Sequence, residues 1–578
     1  MDQPVRALDG FGIVTVVVFA CVSVICIVPI YIPLPLGVSR WLSRNYVQLG
    51  MALGIDADKP SAVNTAVGPK EANDADPPKA GNPPPSSQDI ELDSVKSAGP
   101  VPVPVLAPER GPSERISIPL THTSAPVIGV IILLATTSIG GAELRGGIVG
   151  ADGVRPYDVL ALFICLAYIA ISLDATGLLR YLACVVCQKA SFDGRFFYIV
   201  LYLFLWLAGV ILGNDPVILS GTAFLVYITR VAGITPPDAW IWGEFVAANV
   251  ASAVLVSSNP TNLVIATGFD VSFVTYTAYM VLPSLAGAVF SMLGLMLFFS
   301  PRRHGAALIP KAITQPDIDA RSLLIDPLGA IFSGVVMLAV IGTLIGTSVS
   351  SEVEVYQIGV PGAVLCLIRD AICDVITYRR SVTTDTRRAR GLKRVGAAVR
   401  WIYRVFPTTC ATLRKLPISL LPFAFGMFIL VQALAHVGFV AIMARGIARV
   451  CAHGVAATTF FMAFLSIVLC NFGGTNIGST ILLTKVMQNP AFIEAIAPSL
   501  RAGVVRACMY ATALGSNLGA LGGTFAASLA GLLWRGTLLH HGIHVRALDF
   551  AVWCAVAVVP AAGAALGVLL AEMYYFTV

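Results

Sequence analysis

Residues 196–229 read FFYIVLYLFLWLAGVILGNDPVILSGTAFLVYIT. The run is apolar enough to enter a bilayer, but Gly213-Asn214-Asp215-Pro216 cuts it near its middle. Each half holds about 12–17 residues, too few to cross alone, yet right for a re-entrant hairpin whose polar tip stops inside the membrane. The alternative is two tight spans joined by a polar turn, and an aqueous turn would carry more charge. Residues 455–488, VAATTFFMAFLSIVLCNFGGTNIGSTILLTKVMQ, repeat the design. Here the interruption is Asn471-Phe472-Gly473-Gly474-Thr475-Asn476.

Beyond each hairpin the chain carries a Ser-Asn break. The first is Ser257-Ser258-Asn259-Pro260-Thr261-Asn262. The second is Gly515-Ser516-Asn517-Leu518-Gly519, followed by Gly522-Gly523-Thr524. Asn214 and Asn259 are 45 positions apart, and Asn471 and Asn517 are 46 apart, so the spacing pairs the two sets. Pro260 lacks a backbone donor and clashes with the preceding turn, and the glycines of the second break lower helix propensity. Both segments should therefore unwind. Unwound backbone at membrane depth is tolerated only where protein or a watery cavity satisfies it. Freed carbonyls with Asn, Ser and Thr oxygens suit a small cation. The N-termini of the restarting half-helices suit an anion.

Further out, apolar stretches long enough to span lie at 11–32, 125–141, 157–178, 243–267, 273–299, 327–347, 357–377, 417–438, 503–534 and 549–573. The first lacks a small-residue cleavage site and reads as a retained span. The fold class is thus an all-α polytopic membrane protein, with about ten transmembrane helices and two re-entrant hairpins in two inverted repeats. The domain reading is a first transmembrane helix within 1–41 and a linker at 42–122. A first repeat follows at 123–299, then a loop at 300–326. Scaffold helices of the second repeat at 327–378 and a basic loop at 379–416 lead to the rest of that repeat at 417–578. Residues 56–115 hold twelve prolines and almost no aromatics, so this stretch cannot bury enough apolar surface to fold and should be disordered. The loop at 379–415 carries eleven Lys or Arg against one acid, Asp385. Basic residues gather on one side, with Arg180 to Arg195, 300–325 and 535–548; Arg445 and Arg449 are the local violation. The positive-inside rule then puts these loops and the linker in the cytosol and both termini outside.

Composition agrees. The chain is 57% hydrophobic and only 12% charged, with a net charge of +6 and a mean hydropathy of +0.82. Its surface must face lipid, in the plasma or an organelle membrane, and the small basic excess does not point to nucleic acid. The twelve cysteines lie mostly in apolar runs and read as packing residues. No Walker A sequence, dinucleotide turn or nucleophile elbow occurs, so the chain reads as a non-enzyme with no cofactor beyond a coupling sodium ion or proton.

The candidate substrate- and ion-binding residues are Asn214, Asp215, Ser258, Asn259, Thr261, Asn262, Asn471, Thr475, Asn476, Ser516, Asn517 and Thr524. Asp215 is the one carboxylate at a hairpin tip, and an ionisable group deep in lipid is a functional candidate by default. Its competing role is to cap the half-helix starting at Pro216. The asparagines compete with a role as helix–helix hydrogen-bond glue. A sodium site is expected from Asn214, Asn259, Asn471 and Asn517. Glu244 and Asp174 read as solvated carboxylates near span ends.

The order of these motifs resembles the ion transporter superfamily, in particular its arsenite-efflux and citrate-transporter-like branch, related to divalent anion–sodium symporters. The resemblance rests on Gly213-Asn214-Asp215, Ser258-Asn259-Pro260-Thr261-Asn262-Leu263-Val264, Ala463-Phe464-Leu465-Ser466, Gly515-Ser516-Asn517-Leu518-Gly519 and Leu532-Leu533-Trp534. It covers roughly residues 125–573. It implies outer scaffold helices, a moving transport domain of hairpins and broken spans, a homodimer in the lipid bilayer, and a small anionic substrate. This chain has Asn517 and Leu521 where arsenite pumps of this group carry Asp and Lys, and it lacks the Ser-Asn-Thr tips of the sodium-coupled carboxylate carriers. The expectation is a secondary active carrier of a carboxylate or an inorganic oxyanion such as arsenite, coupled to sodium or protons by alternating access. A sodium/proton or weak-acid exchanger, a channel and a membrane receptor stand as alternatives.

Overall fold

The computed structural model describes residues 9–33, 117–150, 153–189, 193–299, 309–310, 319–347, 353–382 and 401–575. Most of the proline-rich linker, with its expected disorder, and the centre of the basic loop lie outside the described residues.

The protein is helical, as an apolar chain that must satisfy its own backbone requires. Among the described residues, seven helical segments are long and apolar enough to cross a membrane. They are Gly10–Ile27, Pro156–Ala175, Gly194–Leu212, Phe273–Phe298, Pro327–Thr347, Pro407–His436 and Ala547–Tyr575. Shorter apolar helices occur at Ser124–Ala135 and Val455–Cys470. Six of these fall on expected spans, and the seventh, Gly194–Leu212, is the first half of the interrupted run 196–229, longer than the 12–17 residues expected of it. Of the other four expected spans, 125–141 is short, 357–377 lies in the charged helix Val355–Val382, and two are divided. Residues 243–267 fall into Asp238–Ala251 and Pro260–Gly268. Residues 503–534 fall into Pro498–Gly519 and Leu529–His540. One element departs from an all-α description: Ile30–Pro33 pairs antiparallel with Ser117–Leu120, Ile30 opposite Leu120 and Pro33 opposite Ser117. The linker expected over 42–122 therefore ends earlier, in a strand that its alternating Ser117-Ile118-Pro119-Leu120 supports.

Each interrupted apolar run forms two helices joined at its polar tip. Gly194–Leu212 turns at Gly213 into Asn214–Val231. Val455–Cys470 turns through residues 471–475 into Asn476–Gln488. The broken segments share one local design. A helix ends at Ala251 or Gly519, a turn follows, a 3-10 turn occupies Val256–Ser258 or Phe525–Ala527, and one extended residue, Asn259 or Ser528, caps the restarting helix. The repeat is thus present in the backbone, but its register differs from the spacing argument. Asn259 corresponds to Ser528. Asn517 corresponds to Asn249, each standing two residues before its helix ends.

The repeats are interlocked. Leu529–His540 packs against Asn214–Val231, while Pro260–Gly268 packs against Asn476–Gln488, so each restarting helix rests on the other repeat's hairpin. Phe273–Phe298 runs along Ala547–Tyr575, and Val355–Val382 and Pro327–Thr347 pack on Pro156–Ala175. Ahead of each hairpin lies a helix that the sequence reading left as loop: Leu178–Lys189 before the first and Phe439–Cys451 before the second. Both are amphipathic, and the second carries Arg445 and Arg449. The basic loop also contains the short helix Pro407–Lys415.

Candidate functional site

The first hairpin turns at Gly213 because only glycine takes its backbone angles (φ 83°, ψ 170°) without strain. A Cβ there would sit 2.9 Å from the Ser258 carbonyl oxygen, so the tip presses directly on the first break. Ser258 Oγ donates to the Val210 carbonyl at 2.7 Å, and Asn214 Nδ2 donates to Asn249 Oδ1 at 3.2 Å.

The breaks satisfy their own backbone. Asn262 Nδ2 donates to the freed carbonyls of Ser252 and Leu255 at 2.7 and 2.8 Å. Asn259 Oδ1 caps the restarting helix by accepting from the Thr261 backbone N–H at 3.1 Å and the Thr261 hydroxyl at 3.0 Å. Pro260 follows at the first helical position, where its missing donor costs nothing. At the second tip, Asn471 Oδ1 accepts from the backbone N–H and hydroxyl of Thr524, both at 3.1 Å. Thr475 caps its helix by accepting from the Ile477 N–H at 3.2 Å. Thr480 Oγ1 donates to Ser516 Oγ at 2.8 Å, and Asn476 is buried nearby at the start of the same helix.

The two breaks meet at Asn517. Its Oδ1 accepts from Ser252 Oγ at 2.7 Å and Asn259 Nδ2 at 3.0 Å, while its Nδ2 donates to Asn262 Oδ1 at 2.7 Å and to the Ala513 carbonyl at 2.9 Å. That uses the amide's two acceptor and two donor positions. The four asparagines from which a sodium site was expected accordingly occupy three separate arrangements. Asn259 and Asn517 bond each other, Asn214 bonds Asn249, and Asn471 holds Thr524. Asn259, Asn471 and Asn517 are further engaged by backbone groups, at Thr261, Thr524 and Ala513.

In front of this lattice opens a cavity of about 610 Å³. Four of the candidates line it, Asn214, Asp215, Ser258 and Thr524, whereas Asn259, Thr261, Asn262, Asn471, Thr475, Asn476, Ser516 and Asn517 lie behind. Its wall is mostly apolar, with Phe163, Leu166, Leu219 and Leu532, but Arg414, Lys415 and Arg535 also line it. His122, at the rim beside the strand pair, has its imidazole pushed below its ordinary proton affinity by burial, which favours the neutral ring.

Two carboxylates read as solvated are in fact buried. Glu244 is 0% exposed and its Oε2 accepts from Thr222 Oγ1 at 2.7 Å, because its helix starts at Asp238 and carries it a full turn inside. Asp174 Oδ2 accepts from Ser220 Oγ of the first hairpin at 2.6 Å and lies 3.6 Å from Lys415 Nζ. The sequence reading also missed Asn249 and the cavity-lining cations. Asn249 had a signal, since Ala248-Asn249-Val250-Ala251 parallels Ser516-Asn517-Leu518-Gly519.

The citrate transporter family profile matches residues 114–515. A putative arsenical pump membrane protein of Bacillus subtilis (strain 168) is 23% identical over 440 residues, covering 73% of this chain and 88% of the relative. An arsenical pump membrane protein of Escherichia coli is 24% identical over 385 residues, covering 65% of this chain and 78% of the relative. Among solved structures, the YdaH transporter of Alcanivorax borkumensis aligns with 84% of this chain and 96% of its own at 13% identity, with a TM-score of 0.46.

Proposed function

Because this chain belongs to the citrate transporter family and is a multi-pass integral membrane transporter, we propose that it is a secondary active carrier of a small anion, working by alternating access. The observation that carries this reading is the cavity itself. It brings a hairpin tip with its carboxylate, the residues flanking both breaks, and three cationic side chains onto one surface. Discontinuous helices meeting at a cavity are the usual construction of a carrier's site. The names of the related arsenical pumps support an anionic or weak-acid cargo.

For coupling, the arrangement favours a proton at Asp215. The amides of Asn259, Asn262 and Asn517 are spent on one another and on the backbone, whereas Asp215 is, among the described residues, the one carboxylate lining the cavity. A carboxylate neutralised together with anion entry would let the loaded site cross the membrane at lower electrostatic cost. Sodium held beside Asp215 is the competing route, supported by the oxygens of Asn214 and Ser258 on the same wall.

The test is uptake of labelled citrate, succinate and arsenite by purified protein in liposomes, with proton and sodium gradients imposed separately. Flux should follow the proton gradient, and Asp215→Asn should abolish that dependence while leaving exchange at equal gradients. Flux that follows sodium alone would replace the proton with sodium. Gradient-independent, ohmic current would remove the carrier reading in favour of a channel.

A further inference from the structure

The three cations of the cavity are not equivalent. Lys415 already has a counter-ion in Asp174. Arg414 is exposed at the end of its short helix. Arg535 is half-buried, and its guanidinium lies over the Phe525 ring, 5.0 Å from the ring centre. Among the described residues no carboxylate pairs with it. A guanidinium partly withdrawn from water into an apolar wall is costly unless a negative group compensates it. Placed against an aromatic ring it retains N–H donors suited to gripping a carboxylate or phosphate-like group in bidentate fashion.

Position adds a second argument. Arg535 stands on Leu529–His540, the helix that restarts after the second break, and Phe525 is in the 3-10 turn of that same break. The neighbouring Thr524 is fastened to Asn471 at the second hairpin tip, and the helix itself packs on the first hairpin. Arg535 is therefore tied to both hairpins, whereas Arg414 and Lys415 belong to a helix held by Asp374 of Val355–Val382.

We infer that Arg535 is the anchor for the negative charge of the transported anion, so that the substrate class is a fully charged carboxylate or oxyanion and not a neutral metalloid hydroxide. This deepens the carrier reading and rests on it. Lys415 is held by Asp174, and Asp215 is left to carry the coupling charge.

Liposome uptake of labelled succinate, citrate and arsenite, the last mostly uncharged at neutral pH, tests the inference in the wild type and in Arg535→Gln, Arg535→Lys and Phe525→Leu. Loss of a charge-assisted contact should raise the KM of Arg535→Gln for the carboxylates about tenfold or more, with kcat changed much less. Arg535→Lys should recover part of that loss. Phe525→Leu, which keeps the charge and removes the ring, should shift KM less than Arg535→Gln. If Arg535→Gln does not fold, Arg535→Lys decides: a raised KM for the carboxylates is expected from loss of the bidentate grip, and a wild-type KM overturns the inference. An unchanged KM in Arg535→Gln, or a wild type that moves arsenite and neither carboxylate, overturns the inference while leaving a carrier. A wild type that moves none of the three under any gradient overturns the carrier reading and the anchor with it.

Discussion

Asn517 shows how far a single side chain can hold a membrane protein's interior together. With its four hydrogen bonds directed to Ser252, Asn259, Asn262 and Ala513, its removal leaves three buried side-chain partners short of a bond. Asn517→Ala should cost about 2–4 kcal/mol and lower the melting temperature in detergent. Asn249→Ala removes two side-chain hydrogen bonds, from Asn214 and to the Phe245 carbonyl, and should cost less. A Tm for Asn517→Ala equal to the wild type would deny the lattice its structural role. At this scale the sequence revealed the residue types but not their partners. Asn259 and Asn517 touch, yet the near-equal spacing that paired them as repeat mates is coincidental; the true mate, Asn249, sits near the end of an unbroken helix with no proline or glycine beside it to draw attention. Glu244 and Asp174 were misjudged for a related reason. Their burial depends on hairpin side chains that arrive from elsewhere in the chain, Thr222 and Ser220.

Among elements, the helix breaks at the two tips were legible because a polar, glycine-bearing interruption ends a helix inside an apolar run. The tips are also where backbone conformation is most exacting. Gly213→Ala imposes a side chain on a backbone that nearly excludes one, 2.9 Å from the Ser258 carbonyl, and should cost about 1–3 kcal/mol, read as lost thermal stability. The amphipathic helices Leu178–Lys189 and Phe439–Cys451 were hidden by their charges, which made them look like loops, although their apolar residues recur at helical spacing. Pro407–Lys415 escaped notice because its stability comes from outside. Asp374 Oδ2 accepts from the Thr409 backbone N–H at 2.8 Å and its hydroxyl at 2.9 Å, an N-terminal cap supplied by another helix. Asp374→Ala should loosen this helix by about 1–2 kcal/mol. Cys410, half-buried on it, should then react faster with a maleimide, and an unaltered labelling rate would show that the cap does not hold the helix.

For the whole molecule, composition and charge placement were enough to establish a membrane protein, and the doubled hairpin-and-break pattern was enough to establish a repeat. What they could not supply was the interlocking. Which helix rests on which hairpin depends on contacts hundreds of residues apart, and no periodicity encodes them. Interlocking ties the fate of the two breaks together, so cross-linking either restarting helix to a scaffold helix should halt flux from both sides of the membrane; transport that persists on one side would mean that the repeats move independently. The strand pair has a different consequence. Because Pro33 lies opposite Ser117, the chain departs and returns at a single doorway. A brief glycine-serine turn or a fluorescent reporter in place of residues 34–116 is therefore expected to leave this doorway shut, and a melting temperature in detergent equal to the wild type would bear that out.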